Sequence, residues 1–290
     1  MLIVIPGPAS QELGRKIADL LETRVVPIEF KRFPDGESRI RFTENVEGDN
    51  VVIVQTTSPP QDEHLMQLFI MADNARDLKA KSITAVAPYF AYARQDKRFR
   101  PGEPFSVKTI VTLLKTCGIS RILTVNSHNP AVLKTLKIRI DDLSAISLLA
   151  EHFKKQGFNE AFSLSLGKKA MDMAMQADKV LGGGHGYIST QRDRVSGEVT
   201  IEKNPLPVKN RDAVIFDDII SSGGTMMKAV RWVKKQGARR VYAACVHPLL
   251  IGDSKEKILE AGAEGIVGTD SVSSLFSVVS IAPLIAEALA

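Results

Sequence analysis

Short runs of β-branched and other apolar residues alternate with longer amphipathic stretches along almost the whole chain. The short runs predict strands over residues 2–5, 25–29, 51–55, 82–87, 122–125, 161–164, 213–216, 241–246 and 265–267. The amphipathic stretches predict helices over 11–21, 62–78, 107–116, 144–156, 170–179, 224–236 and 254–261. Such alternation sets strands side by side in mainly parallel sheets flanked by helices, so an α/β class is expected. The stretch "KIRIDDLSA" at 137–145 reads as a hinge between two halves, giving domains over 1–144 and 145–290. Ser-Gly and Pro punctuate "DRVSGEVTIEKNPLPVKNRD", which predicts a hairpin or flag ahead of the strand at 213–216.

Composition narrows the class. A chain of 290 residues fits two domains, and 44% hydrophobic with 24% charged residues supplies an ordinary core. No apolar run approaches the ~20 residues of a membrane span, and "MLIVIPGPAS" lacks the basic start of a secretory signal. Cys117 and Cys245 are too few for a disulfide framework or a zinc site, which suits a reducing, cytoplasmic setting. The net charge of +5 suits nucleic acid or phosphorylated metabolites. Aromatics are only 6%, and the basic residues are scattered among acids, so metabolites are the expected partners, with neither nucleic acid nor membrane.

The stretch "VIFDDIISSGGTMMKA" at 214–229 carries the sharpest chemistry. An apolar strand leads to Asp217 and Asp218, then to Ser221, Ser222, Gly223, Gly224 and Thr225, then to a helix. Glycines let successive N–H groups point into one concavity, and the helix start favours an anion there, most simply a phosphate. Two adjacent carboxylates repel that phosphate and suit hydroxyl groups, or a metal bound to them, so the ligand expected is a phosphorylated sugar. The turn has no lysine directly after its glycines, which excludes an ATP-type P-loop.

Three motifs mark the first half. "RFPDGESRIRF" places Phe33, Asp35 and Glu37 about a Pro-Asp-Gly turn. "PYFAYARQDKRFRPGEPFSVK" carries Arg94, Gln95 and Asp96 in a basic–aromatic loop beyond a strand, where α/β sheets bind ligands. Arginine forks match phosphate oxygens, and aromatic faces stack on bases. "VNSHNP" sets His128 beyond another strand end.

In order and spacing, "FPDGE", "PYFAYARQD" and "DDIISSGGT" resemble the ribose-phosphate diphosphokinase (phosphoribosyl diphosphate, PRPP, synthetase) family over nearly the whole chain. The resemblance implies two tandem phosphoribosyltransferase-like domains, with the active site between them and at a subunit interface. It implies transfer of the diphosphoryl group of MgATP to the 1-hydroxyl of ribose 5-phosphate, giving PRPP and AMP for nucleotide biosynthesis. It assigns Phe33, Asp35 and Glu37 to adenine recognition from a neighbouring subunit of a homo-oligomer, and Arg94, Gln95 and Asp96 to ATP. His128 is assigned to magnesium and ATP, Asp217 and Asp218 to the ribose hydroxyls, and Ser221–Thr225 to the 5-phosphate. Mg2+ is the implied cofactor.

Two departures from the family pattern matter. Where the family has the metal-binding Asp of "SPDxG", this chain has Gly167 in "SLGKKAMDMA", with Lys169 at the glycine position. Where the family has a catalytic K-x-R, Thr190 stands for the lysine and Arg192 alone is kept as a catalytic candidate. The departures open a second reading: a catalytically impaired paralogue that forms a hetero-oligomer with an active synthetase. A phosphoribosyltransferase or PRPP-sensing regulator shares the acidic loop but leaves "FPDGE" and "ARQD" unexplained.

Overall fold

A computed structural model describes residues 1–98, 100–192, 199–201 and 205–290, with residues 191, 192 and 199 described by backbone alone. The chain divides into two compact units: residues 1–143 with 271–273 and 280–290, and residues 144–270 with 274–279. The first unit contains β1 (Leu2–Pro6), α1 (Gln11–Leu20), β2 (Arg24–Val25), β3 (Ile28–Arg32), β4 (Ser38–Phe42), β5 (Asn50–Val54) and α2 (Gln61–Asp77). It continues through β6 (Ser82–Val86), α3 (Ser106–Thr116), β7 (Arg121–Val125), α4 (Pro130–Leu133) and β8 (Arg139–Leu143). Six strands form one parallel sheet in the order β2-β1-β5-β6-β7-β8. β3 and β4 form a separate antiparallel hairpin with Phe30 opposite Ile40. Central strands of such a sheet are covered on both faces, which is why β5 reads as an unbroken apolar run with Val51, Val52, Ile53 and Val54 all buried.

The second unit repeats this winding. Its elements are α5 (Ile146–Lys155), β9 (Phe162–Leu166), α6 (Met171–Leu181), β10 (His185–Ile188), β11 (Thr190–Arg192), β12 (Val199–Ile201), β13 (Ala213–Ile220), α7 (Gly224–Lys235), β14 (Val241–Pro248), α8 (Ser254–Glu260), β15 (Gly265–Thr269) and β16 (Ser277–Val279). The sheet order is β10-β9-β13-β14-β15-β16, again parallel throughout, and β11–β12 is an antiparallel hairpin. In each unit the first central strand pairs with an edge strand made next, a hairpin follows, and the chain then returns to the centre. The final helix α9 (Ala282–Leu289) belongs to the first unit and packs on α1, and Arg121 Nη2 donates to the Ala288 carbonyl at 2.9 Å.

Several expected elements take a different form. The stretch expected as a hinge at 137–145 contains β8, an edge strand whose Arg139–Leu143 pair with Arg121–Val125, and the compact units divide directly after it. The strand expected at 25–29 is two strands, because Val26 and Pro27 turn the chain from the sheet into the hairpin. β13 runs through both aspartates to Ile220, beyond the expected end at Phe216, since β14 supplies pairing as far as Pro248. Of the flag expected over 193–212, Val199–Ile201 forms β12 and pairs with Thr190–Arg192, which precede that stretch, and residues 193–198 and 202–204 lie outside the described residues.

Candidate functional site

In the second unit the carboxyl ends of β9, β10 and β13 lie side by side, since Leu166 pairs with Ile188 and Ser165 with Phe216. Asp217 and Asp218 are half-buried, and each carboxylate accepts from the next backbone N–H: Asp218 N at 3.0 Å and Ile219 N at 2.8 Å. After Ile220 the chain turns through Ser221 and Ser222 to Gly223, which has φ +73 and ψ −8 and precedes the first residue of α7. That left-handed conformation is why glycine stands there. Gly223 is buried, Ser221 and Thr225 are half-buried, and Ser222 is exposed. The first N–H groups of α7 thus face the same end of the sheet as the two acids, the arrangement a helix start offers to an anion.

A segment 30 residues onward in the chain braces this turn. Leu250 N donates to Ile220 O and Ile251 N to Ser221 O, both at 3.0 Å. A Cβ placed on Gly223 would lie 2.9 Å from Ser254 Cβ and 3.0 Å from Ser254 O, so Ser254 is packed directly against the turn. Cys245 pairs with Asp217 across the strands and is fully buried. Burial first, and the nearby Asp217 charge second, push its thiol far above the ordinary range, so it stays protonated and is no nucleophile.

Gly167 and Thr190, the positions read as departing from the family pattern, are neighbours. Gly167 has φ +89 and ψ 154, a glycine-only region, and its N–H donates to Ile188 O at 2.9 Å. A Cβ there would meet Thr190 Oγ1 at 3.5 Å. Lys168 and Lys169 follow in a short exposed turn. Arg192 lies in β11, and its side chain is outside the described residues.

In the first unit the motif residues fall into two linked groups. Asn129 Nδ2 donates to Asp96 Oδ2, joining the loop of Arg94, Gln95 and Asp96 to the loop of His128. Gln95 Oε1 accepts from Ser106 Oγ at 2.6 Å and ties that loop to the start of α3, leaving Arg94 and His128 exposed. Ser127 N and Oγ donate to Asp142 at 3.0 and 2.6 Å, while burial pushes the Asp142 carboxyl above its ordinary range. Phe33, Asp35 and Glu37 stand together at the exposed tip of the β3–β4 hairpin, where Asp35 Oδ1 accepts from Glu37 N at 3.2 Å. The start of α2 connects the two groups: Glu63 accepts from Arg32 at the tip end of β3, and Asp62 accepts from the Tyr92 hydroxyl. Tyr92, at φ +63, is a bulky residue in a left-handed conformation two residues before Arg94. The sequence reading passed over Asn129, Tyr92 and Ser254. Asn129 sits beside a named motif residue, whereas nothing local to Ser254 signals its packing on Gly223.

Two doubly wound parallel sheets, one bearing paired acids before a glycine-led helix start, define a protein of the phosphoribosyltransferase fold class. Residues 2–118 match the N-terminal domain of ribose phosphate pyrophosphokinase, and residues 140–264 match the phosphoribosyl transferase domain. The chain is 38% identical to the ribose-phosphate pyrophosphokinase of Saccharolobus solfataricus, covering 94% of each chain. It is 40% identical to that of Methanothermobacter thermautotrophicus, covering 99% of each. The crystal structure of phosphoribosylpyrophosphate synthetase from Mycobacterium smegmatis superposes with a TM-score of 0.87 at 29% identity, covering 99% of this chain and 97% of that one. The chain belongs to the ribose-phosphate pyrophosphokinase family, and is therefore a transferase of the kinase type.

Proposed function

We propose that this protein transfers the diphosphoryl group of ATP to the 1-hydroxyl of ribose 5-phosphate. The 1-hydroxyl oxygen bonds to the β-phosphorus, the bond from that phosphorus to the oxygen bridging to the α-phosphate breaks, and AMP leaves. The observation that carries the reading is the turn at 220–225, where paired acids and a glycine-led helix start share the carboxyl end of one strand. In this reading the N–H groups of α7 and the hydroxyls of Ser221, Ser222 and Thr225 hold the 5-phosphate. Asp217 and Asp218 accept from the ribose hydroxyls and fix the sugar's orientation, the effect on which diphosphoryl transfer chiefly depends. In the first unit, Arg94 offers its guanidinium fork to phosphate, with Gln95 and Asp96 shaping the loop and His128 beside it. Phe33 offers a face for adenine, with Asp35 and Glu37 as polar partners, and the homo-oligomer supplies that tip to a neighbouring subunit.

Magnesium is part of the proposal. Among the described residues no group of three or more His, Cys, Asp or Glu could cage a metal ion. A magnesium ion bound mainly through substrate phosphates and water needs only one or two protein ligands, so the donor set present fits it. Asp217 and Asp218 supply hard oxygens for that purpose, and the exposed His128 would face the nucleotide side. The ion would neutralise charge on the transferred phosphates. A cytoplasmic place in nucleotide biosynthesis accords with this chemistry, and among the described residues no helix is long and apolar enough to cross a membrane.

The test is AMP release from ATP with magnesium, with and without ribose 5-phosphate. AMP that depends on the sugar phosphate supports the proposal. Binding of both substrates without turnover would establish the impaired-paralogue reading instead, which the Gly167 and Thr190 positions motivate. Failure to bind ribose 5-phosphate would overturn both.

A further inference from the structure

Ser254 is the first residue of α8 and is fully buried. Its hydroxyl has no hydrogen-bond partner among the described residues. A buried hydroxyl left unpaired costs free energy that an alanine of nearly the same size avoids. The residue is not isolated from function: the three nearest atoms to the missing Cβ of Gly223 are Ser254 Cβ, O and Cα, at 2.9, 3.0 and 3.2 Å. Its chain segment is already bonded to the same turn through Leu250 and Ile251. The turn in question has its anion-facing N–H groups on one side and Ser254 packed against its glycine.

We propose that Ser254 is a positioning residue for the turn at 220–225, its hydroxyl hydrogen-bonding the turn's backbone when a phosphate is held there. The proposal rests on the sugar-phosphate reading of that turn. An anion drawn to the N–H groups pulls on peptides whose carbonyls point the opposite way. The hydroxyl of the residue packed on Gly223 then accepts or donates a bond as those peptides reorient. The bond exists in the bound state and not in the free one, so it adds to affinity and not to the stability of the free protein. This predicts an unusual pairing of effects, since a residue that serves packing alone loses stability and affinity together.

The experiment compares the full chain with Ser254→Ala, using calorimetry with ribose 5-phosphate and with inorganic phosphate, alongside thermal unfolding without either. The expected result is affinity for both probes weakened about three- to tenfold, the effect of one net hydrogen bond. The unfolding temperature of the unliganded variant should be equal to or above that of the parent. Ser254→Cys, which keeps the size but offers a weak donor, should fall with alanine. Parent-like affinity in Ser254→Ala, with the parent binding normally, overturns the role of Ser254 and leaves the sugar-phosphate site standing. A lower unfolding temperature together with weaker binding also overturns it, in favour of simple packing. A parent that binds neither probe overturns the site reading itself, and the role of Ser254 with it.

Discussion

At Gly167 the backbone occupies φ +89 and ψ 154, where a side chain costs ~1–3 kcal/mol. Placing an acid there by Gly167→Asp is therefore expected to destabilise the second unit by that amount, read as a lowered unfolding temperature. Thr190 carries no such constraint, and its hydroxyl lies beside the same strand end. If a missing cation limits turnover, Thr190→Lys alone should raise kcat by roughly 10², the lower end for one transition-state donor, with little change in KM. An unchanged kcat in a well-folded Thr190→Lys variant would place the limit elsewhere. The two acids of β13 call for a different readout. Asp217→Asn with Asp218→Asn should weaken ribose 5-phosphate binding by about tenfold or more, from the loss of charge-assisted bonds worth ~1.5–3 kcal/mol each. Calorimetry showing unchanged affinity would remove the ribose from their task.

The strand β13 shows how an element divides its work between its ends. Asp212, just before it and 3% exposed, accepts from Arg239 Nε and Nη2 at 2.8 and 2.6 Å and from Arg240 at 3.1 and 2.6 Å. Arg240 also stacks 4.0 Å from the centre of the Phe158 ring. The Arg239 hydrogen bonds, then those of Arg240, hold the Asp212 carboxyl well below the usual carboxylate range. Its folded value lies under the unfolded one of about 3.9, so the stabilisation is fully present above that pH and is lost as acid takes it down through the folded value. Asp212→Ala should cost ~1–3 kcal/mol near neutrality, discounted for the exposed end of Arg239. The gap from the parent should stay flat above about pH 5 and close below pH 4, as unfolding followed against pH will show. The opposite end of β13 carries the acids and the turn, so anchoring and chemistry are kept apart by the length of the strand. Phe33→Ala on the β3–β4 hairpin should weaken ATP binding through lost stacking, and Arg94→Ala in the loop after β6 through a lost phosphate fork. A monomeric variant with full ATP affinity would contradict supply of Phe33 from a neighbour. Elements whose cause is local were legible beforehand: the apolar runs of β1, β5 and β13, and the glycine-led start of α7. Those set by partners far along the chain were not. β8 reads as polar because it is a sheet edge, β13 extends because β14 pairs with it, and Ser254 matters only through contact with a glycine 31 positions earlier.

The molecule is one winding made twice, and the copies have diverged at the same topological place. The turn after β13 is glycine-rich with a left-handed residue, whereas the turn after β5 is filled by its own buried polar side chains. There Gln55 Oε1 accepts from Ala9 N, Thr57 Oγ1 donates to Tyr89 O, and the Ala91 N–H donates back to Thr57. One turn is led by glycine and the equivalent one is held by hydrogen bonds of its own side chains, a division that identical topology alone would not reveal. The first unit also needs α9. Ile281 and Ile285 are fully buried, and Arg121 reaches the Ala288 carbonyl. Deleting residues 281–290 should therefore destabilise the first unit by about 3–6 kcal/mol, from two buried isoleucines at ~1.5–3 kcal/mol each. Proteolysis or hydrogen exchange should locate the loss in residues 1–143, and a loss confined to 144–270 would refute the assignment. The position of α9 also fixes an order of events at the ribosome. Every strand of the first sheet has emerged by residue 143, yet its closing helix is made only after residue 279, by which point all of the second unit exists. The amino-terminal unit is thus the last to be completed.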